Sequence, residues 1–315
     1  MSVSTGRFAP SPTGPLHLGS LVAALGSWLF ARSKGGRWLV RMEDLDAPRV
    51  VPGAADEILR TLERYGLTWD GEVAFQSRRP AHYDAALEIL RERGMVYACA
   101  CSRTDLARSA SAPDRADPPS AGVYPGTCRG GLPPGKETRA VRFHVSAGVL
   151  TFEDIVLGSF SEDVAASVGD FIVKRADGPF AYQLAVVVDD AAQRVTEVVR
   201  GADLLDSTAR QIALQKALGL PTPAYAHLPL VVSPGGAKLG KRDGALPLET
   251  LDEARLRASL AFALRALGQE PAGGTPREML AEAARRFYPR AIPRSPTTAE
   301  SFADHGSSAG AARSS

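Results

Sequence analysis

The sequence is poor in cysteine, nearly free of net charge, and has no apolar run long enough to cross a bilayer. Only three cysteines occur in 315 residues, all between positions 99 and 128. An odd, tightly clustered set makes a poor disulfide framework for a secreted domain and reads better as reduced thiols able to hold a metal. With 37 basic and 35 acidic side chains the formal charge is +2. A dedicated nucleic-acid domain is usually more basic, so any polyanion must be met by local patches. From Phe8 to Ala31 the chain carries no formal charge, but Pro10, Pro12, Gly14, Pro15 and Gly19 interrupt it. This excludes a membrane span and argues against an export signal, so a cytoplasmic protein with no membrane partner is expected. No internal repeat is present. With 44% apolar and 23% charged residues, the composition excludes collagen, coiled coil and wholesale disorder. The length suits one large or two modest domains with a sizeable core.

The first hundred residues alternate strand and helix signals. Thr5 to Ala9 is a short extended run ended by Pro10; from Gly19 on, Leu21, Val22, Leu25, Trp28 and Leu29 recur at helical spacing until Lys34-Gly35-Gly36. Trp38 to Val40 suits a buried strand leading to the acidic turn Glu43-Asp44-Leu45-Asp46. Helices follow, one with Ala55, Ile58, Leu59 and Leu62 on one face, the next with Tyr83, Ala86, Leu87 and Leu90. This alternation predicts an α/β fold with a parallel sheet covered by helices. The pattern breaks at residue 97, where Val141 to Val145 and Val149 to Leu157 read as short strands. It resumes with Phe180 to Val188, Val195 to Val199, a helix from about Ser207 to Leu218, and Leu228 to Val232. Residues 250–290 read as helices. The expected division is a first half of the α/β domain over 1–96, an insertion over 97–170, and a second half over 171–232. A glycine- and lysine-rich loop with a helical subdomain follows over 233–290, then a flexible tail over 291–315.

Two motifs carry chemistry. In GRFAPSPTGPLHLGS, residues 6–20, a strand ends in a tight Pro/Gly turn and a helix starts at Gly19. Free N–H groups at a helix start and the helix dipole form an anion site, to which His17 adds a donor and Gly19 close backbone access. In Lys238-Leu239-Gly240-Lys241-Arg242, flanked by glycines, three cations suit a clamp over a triphosphate as charge moves onto departing pyrophosphate. Together the two are far more specific than either alone.

The stretch RFAPSPTGPLHLGS resembles the "HIGH" signature of class I aminoacyl-tRNA synthetases in its glutamyl form, and KLGKR stands where that class has "KMSKS". Arg41-Met42-Glu43-Asp44-Leu45-Asp46 resembles the acidic turn of the same family. The runs HLGSLVAALGSWLFARSKGG, FAYQLAVVVDD and VTEVVRGADLL are similar to its shortened glutamyl-Q branch. The resemblance spans about residues 5–245. It implies a Rossmann-like parallel sheet with an inserted zinc-binding subdomain and a C-terminal helical subdomain. It also implies ATP-dependent activation of L-glutamate, with Mg²⁺ accompanying ATP, and transfer to the cyclopentenediol of queuosine in the anticodon loop of tRNA(Asp). Only 73 residues follow Arg242. That length favours the short branch over a full glutamyl-tRNA synthetase, whose helical anticodon-binding region would be absent. A short enzyme charging the tRNA 3′ end is the alternative, and a zinc-containing binding protein that has lost catalysis is a third reading.

The resemblance assigns Arg7 to the glutamate side-chain carboxylate, a task suited to guanidinium. Arg200 is the second cation and Tyr182 a nearby hydroxyl; Glu43 accepts the ammonium; Ala9 and Ser11 line the same pocket. His17, Gly19, Lys238 and Lys241 hold ATP, with His17 and Lys241 acting in catalysis. Two positions depart from the family pattern: Gly240 replaces the usual serine of the lysine loop, and Ser20 stands at the second histidine of the generic signature. Tetrahedral zinc needs four ligands, and Cys99, Cys101 and Cys128 supply three. Ligand chemistry alone points to His144 or His82 for the fourth, whereas the resemblance points to Tyr124. One structural zinc per chain is expected. A monomer is expected too. Near the C-terminus, Arg285, Arg286, Arg290 and Arg294 with Phe287 and Tyr288 suit either an RNA-contacting helix end or a solvated face packed by its aromatics.

Overall fold

The computed structural model describes residues 3–102, 104–105, 123–233, 235–237 and 248–299. The chain runs β1 (Thr5–Phe8), α1 (Leu18–Arg32), β2 (Arg37–Met42), α2 (Ala54–Tyr65), β3 (Ala74–Phe75), α3 (Pro80–Glu92), β4 (Val96–Cys99) and β5 (Ala140–Phe143). It continues through β6 (Val149–Asp154), β7 (Gly158–Asp163), α4 (Val164–Ser167), β8 (Phe171–Lys174), α5 (Tyr182–Ala192), β9 (Glu197–Gly201), α6 (Thr208–Leu218) and β10 (Ala224–Leu228). The last elements are β11 (Val231–Val232), α7 (Glu253–Ala266), α8 (Pro276–Arg286) and β12 (Thr297–Thr298).

Strands β1, β2 and β3 form one parallel array, with Thr5 opposite Arg37 and Arg41 opposite Ala74. Strands β9 and β10 form another, with His227 opposite Arg200. The two arrays meet at the N-terminal ends of β1 and β9, where Thr196 N–H donates to the Thr5 carbonyl at 2.9 Å and Thr5 N–H to Thr196 Oγ1 at 2.9 Å. Towards their carboxyl ends no ladder joins these strands among the described residues, and a crevice opens there. Chain order also reverses at this point, the usual place for a ligand in an open α/β sheet. The hairpin β6–β7, within residues 97–170, extends the second array: β6 pairs in parallel with β10 at Asp154 and Tyr225. Strands β4, β5 and β8 make a separate antiparallel sheet.

Helix α1 is buried on almost every side because it lies between the sheet and helices α7 and α8. A helix that is apolar all round has to be covered all round. Its Gly26 lies where a Cβ would come 2.3 Å from Leu228 of β10, so the helix can sit this close to the sheet only without a side chain there. A second core joins Leu87 and Leu90 of α3 to Leu184 of α5 and Leu214 of α6. Burying each such leucine contributes about 1.5–3 kcal/mol.

Two apolar runs divide differently from their hydropathy. Leu228 to Val232 is broken at Pro229, which has no N–H for a ladder, so β10 ends at Leu228 and β11 pairs instead with β12. Val149 to Leu157 stops at Asp154, whose carboxylate accepts from Val156 and Leu157 N–H at 3.0 and 2.9 Å and turns the chain. The run from Phe180 to Val188 is mostly helix.

Candidate functional site

A cavity of about 890 Å³ occupies the crevice at the carboxyl ends of β1 and β9. Arg7, Ala9, Ser11, His17, Gly19, Glu43, Tyr182 and Arg200 all line it. Lys238, Gly240, Lys241 and Arg242 lie outside the described residues. His17 caps α1: its Nδ1 accepts from Ser20 N–H at 3.3 Å. A Cβ on Gly19 would lie 3.1 Å from that imidazole, so glycine leaves the ring room to fold back over the helix start.

On the β1 side two guanidiniums share one carboxylate. Arg7 donates from Nε and Nη2 to the two oxygens of Asp190, at 3.1 and 3.4 Å, and from Nη1 to the Val199 carbonyl at 3.5 Å. Arg41, wholly buried, donates to the same Asp190 at 2.8 Å, to Gln193 at 2.7 Å and to Glu43 at 3.1 Å. Burial alone would raise the Asp190 carboxyl, but Arg7 and Arg41 outweigh it and hold it below the usual range. Glu43 goes the other way, because burial pushes it up more than the two arginines pull it down. The neighbouring Asp189 is buried too and accepts from Gln76, Arg79 and Tyr83 at 2.9, 2.6 and 2.8 Å.

On the β9 side Arg200 is held by neutral groups. Its Nε donates to His227 Nε2 at 3.1 Å, Nη1 to Gln211 at 2.8 Å and Tyr182 at 3.4 Å, and Nη2 to Thr208 at 3.0 Å. Tyr182 is pushed up by burial and by the Glu43 charge, so its hydroxyl keeps its proton. His227 in turn lies 2.6 Å from the Asp154 carboxylate.

Sequence reasoning missed Arg41, Asp190, Asp189, His227 and Asp154. Two acids ending the apolar helix run VVVDD were a usable signal for Asp189 and Asp190, since a helix buried on all sides buries its polar residues too. His227 and Asp154 belong to no motif.

The thiols of Cys99, Cys101 and Cys128 lie within 4.8 Å of one another. Cys101 and Cys128 sulfurs are 3.6 Å apart, and the Tyr124 oxygen is 3.6 Å from Cys99 and 3.8 Å from Cys101. Zinc–sulfur bonds of about 2.3 Å at tetrahedral angles put sulfurs about 3.8 Å apart, so the arrangement fits a metal ion. Neither His82 nor His144 belongs to this group among the described residues. Arg142 donates to Cys99 at 3.3 Å and stacks 3.7 Å over the Tyr124 ring. Gly169 lets the segment dock: a Cβ there would sit 2.6 Å from the Tyr124 carbonyl, at a φ of +71°. At the C-terminal helix, Phe287 packs edge-on against Phe30 at 5.1 Å, whereas Tyr288 is 57% exposed and Arg285 and Arg286 pair with Glu282.

Residues 2–287 match the family model for the catalytic domain of class I tRNA synthetases (E and Q). The chain is 57% identical over 294 residues to the glutamyl-Q tRNA(Asp) synthetase of Geobacter sulfurreducens, covering 91% of this chain and 93% of that protein. It is 56% identical over 264 residues to the protein of the same name from Dechloromonas aromatica, covering 84% and 86%. A glutamate tRNA ligase from Elizabethkingia meningosepticum, crystallised in complex with its amino acid, superposes with a TM-score of 0.80 at 29% identity. That superposition covers 96% of this chain and 68% of the ligase chain.

Proposed function

The chain belongs to the class I tRNA synthetases of the E and Q type, and on that premise we propose that it activates L-glutamate with ATP and transfers it to the cyclopentenediol of queuosine in the anticodon loop of tRNA(Asp). The observation that carries this reading is the similarity to glutamyl-Q tRNA(Asp) synthetases, over 93% and 86% of the length of the two relatives. The cavity supports the activation half. Glutamate has two carboxylates and one ammonium, and the crevice offers Arg7 and Arg200 for the former and Glu43 for the latter. Ala9, Ser11 and Tyr182 complete that pocket. The start of α1, with His17 and Gly19, receives the ATP phosphates.

The reaction needs no covalent enzyme intermediate. The glutamate α-carboxylate attacks the α-phosphorus of ATP in line, pyrophosphate leaves, and a hydroxyl of the cyclopentenediol displaces AMP from the acyl-adenylate. Positioning and charge stabilisation carry such a reaction, with Arg7, Arg200 and Glu43 fixing the amino acid and α1 facing the phosphates. Mg²⁺ enters with ATP. Lys238 and Lys241 neutralise the departing pyrophosphate, so Lys241→Ala lowers the rate of activation about a hundredfold with a smaller change in glutamate affinity. An unchanged activation rate overturns that role.

Zinc held by Cys99, Cys101, Cys128 and Tyr124 would act structurally, pinning the insertion over 97–170, since none of the four lines the cavity. Native mass spectrometry is expected to find one zinc per chain, and Cys128→Ala to lose it. The enzyme works on tRNA in the cytoplasm as a monomer; no helix among the described residues is long and apolar enough to cross a membrane. Glutamate-dependent exchange of pyrophosphate into ATP tests activation. Mapping labelled glutamate on RNA fragments tests its destination: label on an anticodon-loop fragment of tRNA(Asp) is expected, and label on the 3′-terminal fragment replaces this reading with 3′-end charging.

A further inference from the structure

Three adjacent strands each contribute one buried polar side chain to a single line: Asp154 from β6, His227 from β10 and Arg200 from β9. The Asp154 Oδ1 accepts from the backbone N–H groups of Val156, Leu157 and His227 at 3.0, 2.9 and 3.2 Å, which fixes the carboxylate. Its other oxygen lies 2.6 Å from His227 Nδ1. An ionised carboxylate only accepts, so Nδ1 carries the proton. On the far side of the ring, Nε2 faces the Arg200 Nε–H at 3.1 Å, and a guanidinium only donates. Nε2 therefore presents its lone pair. Both neighbours demand the same tautomer.

We propose that His227, backed by Asp154, is the positioning residue that aims Arg200 at the glutamate carboxylate, and that it acts as the neutral Nδ1–H tautomer. This inference rests on the glutamate-activating reading of the cavity. The groups facing the ring are consistent with it. Arg200 lies on one side and Asp154 on the other, Thr208 of α6 reaches Nε2 at 3.2 Å, and Tyr225 of the same strand stacks on the ring at 6.3 Å. Arg7 adds positive potential from β1. Burial, with the charges of Arg200 and Arg7, lowers the imidazole below its ordinary value despite Asp154, which keeps it neutral. Holding Arg200 through a neutral acceptor orients its fork without cancelling its charge. Among the described residues no carboxylate hydrogen-bonds Arg200, so its charge is available to the substrate carboxylate.

The test is the glutamate-dependent pyrophosphate exchange assay on the full chain. His227→Phe keeps a ring of similar size and removes both links. Its glutamate KM is expected to rise by about tenfold to a hundredfold while the ATP KM stays within about twofold. His227→Gln, whose amide can accept from Arg200 and donate to Asp154, is expected to recover most of the loss. A glutamate KM within about twofold of wild type in the phenylalanine variant, or equal rises in both KM values, overturns the proposal. Should that variant fail to fold, nitrogen NMR of the wild-type imidazole decides. A neutral ring protonated at Nδ1 supports the proposal; a proton on Nε2, or on both nitrogens at neutral pH, overturns it. Wild-type protein showing no glutamate dependence in the exchange assay would instead overturn the functional reading, and the role of Arg200 with it.

Discussion

The two walls of the cavity each present a buried guanidinium, and they hold it in opposite ways. On the β1 wall, Arg7 and Arg41 converge on Asp190, with Glu43 beyond them, so cation and anion are in direct contact. On the β9 wall, the hydrogen bonds of Arg200 among the described residues go to the neutral groups of His227, Gln211, Thr208 and Tyr182, with the Tyr225 ring 5.6 Å away, and the carboxylate in that line stands behind an imidazole. An ion pair in a low-dielectric interior recovers part of the desolvation cost of its members; a guanidinium among neutral acceptors recovers less. The first wall is therefore built for rigidity. The second recovers less and leaves its guanidinium with neutral partners among the described residues, which fits the anion-binding role proposed for Arg200.

Removing Asp190 breaks the comparison most severely. Asp190→Ala leaves Arg7 and Arg41 buried without their shared carboxylate and is expected to cost about 3–5 kcal/mol, read from urea denaturation. A loss under about 1 kcal/mol would show that the first wall is not held by its ion pairs. Arg200→Met should behave differently. It leaves Gln211 short of a donor, yet removes a buried charge that no carboxylate among the described residues hydrogen-bonds, and Thr208 still faces His227. The expected change in stability is within about 2 kcal/mol. Glutamate is expected to raise the melting temperature of the wild type but not of this variant, because such a rise reports preferential binding to the folded state. Retained thermal stabilisation by glutamate would place the uncancelled charge elsewhere.

These walls were unequally legible in the sequence. Arg7, His17, Gly19 and Glu43 sit in short motifs because a turn, a helix start and a strand end bring backbone and side chain to the crevice locally. The strand–helix alternation of the first hundred residues was readable for a similar reason, since apolar periodicity follows from one-sided burial. The partners of the two arginines were not readable. Asp190 lies 183 residues from Arg7, and Asp154 lies 73 residues from His227. Sheet order brings them together, and no local pattern encodes sheet order. Pro229 shows the converse: a single residue without an N–H ended a strand that hydropathy alone would have continued. At the C-terminal helix the sequence left packing and RNA contact open, and the structure divides its aromatics, placing Phe287 against Phe30 and leaving Tyr288 outside.

The smallest expected effect separates the walls by pH. Asp190 is lowered from the ordinary 3.8, so its contribution is complete above that value and is lost only as pH falls through its lower native value. Asp154, also held down, behaves the same way. His227 is a base lowered from 6.5. Below 6.5 the unfolded imidazole takes up a proton that the folded one refuses. The unfolded chain then binds more protons, and stability falls as pH drops from 6.5 towards the native value. The slope from one such group is at most about 1.4 kcal/mol per pH unit. Between pH 7 and 5 the His227→Gln variant is expected to lose this part of the slope, because glutamine does not titrate, while Asp190→Asn keeps it. Equal slopes for wild type and His227→Gln in denaturation at pH 7, 6 and 5 would mean that the β9 wall does not depend on a neutral imidazole. The opposition between an ion-paired wall and a neutral one would then rest on Arg200 and its amide and hydroxyl partners alone.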